Sequence, residues 1–157
     1  MMKTFVGPHE GRELELMMAG TKPLSAFLEV VSQDVECFPE ENFDALVAQG
    51  QLTKAVSITT KRVPDGTEHQ LRRVLYALPG EEWRIKALLL VQGLYDSLAP
   101  GWRPDLERVI GLLLGYDRQD VEIHSVAPNP VSFKLTHHLG VTSLAARTGD
   151  LLASLSP

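Results

Sequence analysis

Residues 7 to 22 read GPHEGRELELMMAGTK, and they crowd a histidine, three glutamates, an arginine and a lysine into one short run. His9 beside Glu10 offers the imidazole and carboxylate that general acid–base chemistry uses, and Arg12 is the kind of cation that orients a substrate anion. On a helix, adjacent side chains diverge by about 100°, so His9 shares a face with Glu13 rather than with Glu10. A small acid–base enzyme would draw on His9, Glu10, Glu13 and His124. The plainer account is the polar start of a surface helix.

His124 and the pair His137-His138 are the residues that could ligate a metal. Adjacent histidines on a helix point apart, and the HExxH spacing that puts two on one face does not occur. Cys37, the one cysteine, lies between acids in VECFPEE, which raise a thiol's pKa and disfavour a nucleophile. No metal and no cofactor are expected, and no internal disulfide can form.

A second constellation is basic. Residues 54 to 86 carry seven lysines and arginines against four carboxylates, a local charge of +3 in a chain of net charge −5. Arg72, Arg73, Arg84 and Lys86 are its core, and with His9 and Arg12 they are the candidate ligand-binding residues. Such a zone could hold an anionic small molecule or the acidic face of a protein partner. The alternative is a solvated face of unpatterned charge.

The stretch KLTHHLGVTSLAARTGD has the cadence of a helix-turn-helix, with Gly140 at the turn, and a regulator would use residues 130–150. Its second helix carries one cation, Arg147, and the acidic chain repels phosphate, so nucleic acid is disfavoured. GxxxxGK[ST], GxGxxG and GxSxG are all absent, which argues against nucleotide-fold enzymes and the common serine hydrolases.

These residues must be positioned by ordinary elements. Gly7-Pro8, the stripe Leu14, Met17 and Met18, and the closing Gly20 predict a helix over residues 8 to 19. LSAFLEVV predicts a strand over 24 to 31, and PEENFDALVAQG a helix over about 40 to 49. TKAVSITTKRV and EHQLRRVLYAL, joined through Asp65-Gly66, form the clearest hairpin. In its second strand Arg72 and Arg73 must face opposite ways, so one of them points into an apolar layer.

The segment EEWRIKALLLVQGLYDSL alternates like a strand, yet Trp83, Ala87, Leu90 and Leu94 also make a helical stripe. Its length favours a helix. Pro104 opens another helix, with Leu106, Val109, Ile110 and Leu113 inward and Gly115 closing it, and Asp117 can cap a further turn. Helices are expected from Asn129-Pro130 to about His138, and from Ser143 to Ser154.

At 157 residues, 44% of them hydrophobic and 22% charged, the chain has the size and composition of one globular domain. The expected fold is a single α+β domain over residues 1–157. It has an antiparallel sheet of three to five strands, helices packed on one face, and a helical C-terminal part. The longest apolar run, ALLLV, is too short to cross a membrane, and MMKTFVGPHEGRE lacks the apolar stretch of a secretory signal. A cytoplasmic location follows as the expectation. The functional expectation is a small soluble binding or accessory domain, with no membrane contact and with a homodimer left open.

Overall fold

The computed structural model describes residue 9 and residues 11–32, 38–62, 65–99 and 101–126. In chain order the elements are α1 (Glu13–Met18), β1 (Leu24–Val30), α2 (Glu40–Ala48), β2 (Thr53–Arg62), β3 (Glu68–Ala77), α3 (Trp83–Ser97), α4 (Pro104–Leu113) and α5 (Arg118–Val126). The fold is the expected α+β mixture. Its sheet has three antiparallel-paired strands in the order β1-β3-β2 among the described residues. The helices expected after residue 129, and the helix-turn-helix reading of residues 130–150, lie outside the described residues.

α2 carries the chain from β1 to β2, and the hairpin then folds β3 back between them. β3 thus occupies the centre, where VLYA, residues 74 to 77, is fully buried. The hairpin turn is held by Asp65, whose carboxylate accepts the Thr67 N–H at 2.7 Å, the local bond that makes aspartate a turn residue.

Alternation along the strands splits the core into two layers. On one face Leu24, Ala26, Val30, Leu75 and Ala77 pack with Ile85 and Leu88 of α3, Ile110 and Leu113 of α4, and Val121 of α5. The expected helical layer is this one. On the other face Phe27, Val74 and Tyr76 pack with Met17 of α1, Phe38, Phe43 of α2, and Leu52. This second, thinner layer is largely aromatic, with the rings of Phe27 and Phe38 stacked 4.0 Å apart and Phe43 and Tyr76 tilted at 4.7 Å. It exists because β1 and β3 carry apolar residues on both sides, which a sheet with one open face would leave in water.

α1 is shorter than the periodicity predicts. Gly11 has φ +75, a left-handed conformation that a right-handed helix cannot contain, so the helix starts at Glu13 and His9 stays in the preceding turn. Its stripe is also narrower: Met17 is 1% exposed and Met18 43%. In α4, Ile110 and Leu113 face inward as expected, whereas Val109 is exposed and Glu107 is buried in its stead.

Candidate functional site

Three groupings of side chains bear on function. The first is built around a residue that the sequence does not single out. Lys22 lies between α1 and β1, 1% exposed. Its Nζ donates to the Leu114 carbonyl at 3.1 Å, stands 3.1 Å from Nδ1 of His9, and lies 4.7 Å from the centre of the Tyr116 ring. The His9 ring stacks on Tyr116, 4.1 Å between centroids. Burial pulls the Lys22 ammonium down to about 8, with Glu13 opposing. Burial, Lys22 and Arg12, in that order, pull the His9 imidazole down to about 4.

A lysine of lowered pKa is in kind a base or a nucleophile. Here its ammonium is covered and turned onto the Leu114 carbonyl, His9 and the Tyr116 ring, so it acts as a fastener. Leu114 follows the last turn of α4, where carbonyls lack partners within the helix and the dipole favours a cation. α4 has no basic residue of its own in that turn. Lys22 supplies one cation, and Arg84 supplies another by donating to the carbonyls of Leu112 at 3.0 Å and Leu113 at 3.1 Å. Of the acid–base candidates, His9 therefore faces Lys22 and Tyr116. His9 precedes α1, so the helical i, i+4 geometry expected to set it on one face with Glu13 does not extend to it. Arg12 makes an exposed ion pair with Glu15 at 2.7 Å. Glu10 and the side chain of His124 lie outside the described residues.

The second grouping is an ion-pair network between α2 and the sheet. Glu29 and Arg72 are directly opposite on β1 and β3 and form an ion pair. The Arg72 guanidinium also donates to both oxygens of Glu40, at 2.6 and 2.9 Å, in two-pronged geometry. Lys54 joins Glu40 at 2.8 Å to Asp44 at 2.7 Å, and Asp44 accepts the Tyr76 hydroxyl at 2.9 Å. The bond from Arg72 and then that from Lys54 outweigh burial and hold the Glu40 carboxyl down at about 2. Burial and then the bond to Asp44 push the Tyr76 hydroxyl far above its ordinary value. Burial alone would lower the Lys54 ammonium, but Asp44 and Glu40 reverse the sign.

The four basic candidates are not brought together. Arg72 is neutralised on the α2 face. Arg73, its neighbour, turns to the α3 face and is buried, donating to Gln92 Oε1 at 3.1 Å while its Nε finds no hydrogen-bond partner. Burial lowers its pKa, with Asp96 opposing. Arg84 is held by Glu81 at 2.6 Å and by the α4 carbonyls. Lys86 alone of the four projects into water, from α3. Among the described residues no group of histidine, cysteine, aspartate and glutamate could hold a metal ion. Cys37 lies outside them.

The third grouping is apolar and exposed. α3 rests on the sheet through Ile85, Leu88 and Gln92. The stripe Trp83, Ala87, Leu90 and Leu94 is on the other side of the same helix. Trp83 is 55% exposed, Leu90 76% and Leu94 49%, with only Ala87 half-buried. The periodicity that predicted a helix here is therefore that of its outward face.

The sequence could have disclosed part of this. Glu40 and Asp44 stand at i and i+4 on α2, so both reach one cation. Lys22 gave no local signal, because its carbonyl partner is 92 residues away. No helix among the described residues is long and apolar enough to cross a membrane. Compared with family models, with curated proteins and with solved structures, the chain finds no match.

Proposed function

We propose that this protein is a small binding or accessory domain whose docking face is the outer side of α3, and whose partner is a protein rather than an anionic small molecule. One observation carries the reading. α3 is apolar on two opposite sides, and only one of them lies on the core. A helix apolar all round is ordinarily covered all round. A row of Trp83, Leu90 and Leu94 along one exposed helix is the sort of anchor set that receives another helix.

The charges weigh in the same direction. Arg72, Lys54 and Arg84 have their acidic or carbonyl partners within the chain, which leaves little guanidinium free for a phosphate or carboxylate. The test compares the wild type with Leu90→Glu and Leu94→Glu for binding of an apolar fluorescent dye and for thermal midpoint, and titrates each with phosphate and citrate. The expected result is dye binding that falls in both variants, midpoints that stay put, and no anion response. A phosphate or citrate complex abolished by Arg72→Ala or Arg84→Ala would restore the anion reading instead.

A further inference from the structure

We propose that His9 is an acid-released latch. Neutral, its ring closes over Tyr116 and Lys22; protonated, it swings away about Gly11 while the rest of the domain stays folded. The device is independent of the docking face on α3.

The geometry makes the closed form depend on an uncharged ring. Nζ of Lys22 stands 3.1 Å from Nδ1 of His9, a distance at which one group must donate and the other accept. An ammonium has no lone pair to offer, so Nδ1 accepts and the ring proton sits on Nε2. An imidazolium donates from both nitrogens. It would set two N–H groups and two positive charges against each other at the same 3.1 Å. Lys22 cannot retreat, because it is buried and fastened to the Leu114 carbonyl at 3.1 Å. His9 can.

The release disturbs little else. His9 stands before α1, in a turn closed by a backbone bond from the Arg12 N–H to the His9 carbonyl at 2.9 Å. Gly11, inside that turn, has φ +75, and a Cβ built on it meets nothing within 4 Å, so the pivot has open space around it. α1 begins at Glu13 and keeps Met17 in the core. The swing breaks the Arg12 bond and the 4.1 Å stack on Tyr116, and it uncovers that ring and the ammonium beside it.

Among the described residues, both charges acting on the ring are positive. After burial itself, Lys22 at the entry to β1 and Arg12 at the start of α1 oppose its protonation; Tyr116, beyond α4, faces it with a phenol ring, and Glu13 acts on Lys22. All three causes are relieved when the ring moves into water. Held at about 4 when closed against 6.5 when free, His9 lets acid favour the open form by at most about 300-fold. A latch closed more tightly than that would take up its proton in place.

NMR of the aromatic rings, with amide exchange, on the whole chain from neutral pH into acid tests this. The Tyr116 ring resonances should move with the same midpoint as those of His9. Protection of the Arg12 amide should fall about tenfold or more below it, and both changes should reverse on neutralisation. Phe27 and Phe43, in the aromatic layer, should not move. In His9→Phe, which keeps a ring but takes no proton, Tyr116 should not titrate. In Lys22→Met the loss of Arg12 protection should shrink, because the opposing charge nearest the ring is gone. His9 titrating while Tyr116 and the Arg12 amide stay put would overturn the latch. So would a Tyr116 transition that survives in His9→Phe, one unchanged in Lys22→Met, or one shared with Phe27 and Phe43, which is acid unfolding of the whole domain.

Discussion

Nζ of Lys22 stands 3.1 Å from Nδ1 of His9, so a buried ammonium faces an imidazole that can accept from it only while neutral. That relationship makes His9 a reporter of the whole corner where α1, β1 and the end of α4 meet.

His9 should titrate near 4 in the folded protein, against 6.5 in the unfolded chain. Between those values the unfolded chain binds more protons. Stability therefore rises with pH across the window and is lost as pH falls through it. Following the imidazole ring protons by NMR against pH checks this, and a midpoint near 6.5 would refute it. Lys22→Met removes one cause of the depression but not the burial, so the midpoint should rise without reaching the free value. Lys22 itself, lowered to about 8 from 10.5, adds a second, separate gain in stability as pH rises between those values.

Arg72 and Glu40 should be energetically coupled. A double-mutant cycle with Arg72→Ala and Glu40→Ala, read by chemical denaturation, should give an interaction energy of about 1–3 kcal/mol. The Glu40 carboxyl is held at about 2 against 4.5, so its contribution is complete above 4.5 and vanishes as pH falls towards 2. Arg72→Ala leaves Glu29 and Glu40 without their shared cation, and should cost more than removing either carboxylate. A coupling indistinguishable from zero would reduce the network to surface decoration.

Met17 and Met18 are neighbours with opposite fates. Met17, buried and accepting the Ser25 hydroxyl at 3.1 Å, should cost about 2–5 kcal/mol when replaced by alanine. Met18→Ala should change stability by less than about 0.5 kcal/mol. Equal losses at the two positions would mean that α1 is rotated from the orientation described.

Gly115 has φ +79, and a Cβ added there would lie 2.3 Å from Cδ of Pro23. Gly115→Ala combines an unfavourable backbone conformation with a clash against a rigid ring next to Lys22. It should cost more than about 1 kcal/mol and loosen the Lys22 corner. A variant as stable as the wild type, with His9 still titrating near 4, would contradict that close approach.

Local pattern alone was enough for most elements. β1, α2, the β2–β3 hairpin and α4 follow from spacing and from turn and cap residues, because those signals act between residues a few positions apart, whereas the spacing of α3 suits a strand as well and only its length favoured a helix. The alternation at Arg72-Arg73 likewise required that one arginine enter the apolar layer, and it is Arg73 that does so. Glycine at position 11 was visible too, but not that it would adopt a left-handed turn and shorten α1.

Tertiary structure decided which partner each charge meets and which apolar stripe turns inward. The cluster Arg72, Arg73, Arg84 and Lys86 is contiguous in the sequence reading and dispersed in space. The sheet sends the first two to opposite faces, and the end of α4 claims the third. α3 offers two apolar stripes of similar strength, and periodicity cannot say which one meets the sheet. That choice depends on what β3, α4 and α5 present to it. The need of α4 for cations at its C-terminus, met by Lys22 and Arg84 from other parts of the chain, is invisible until the helices are docked. Long-range contact supplies what no local window contains.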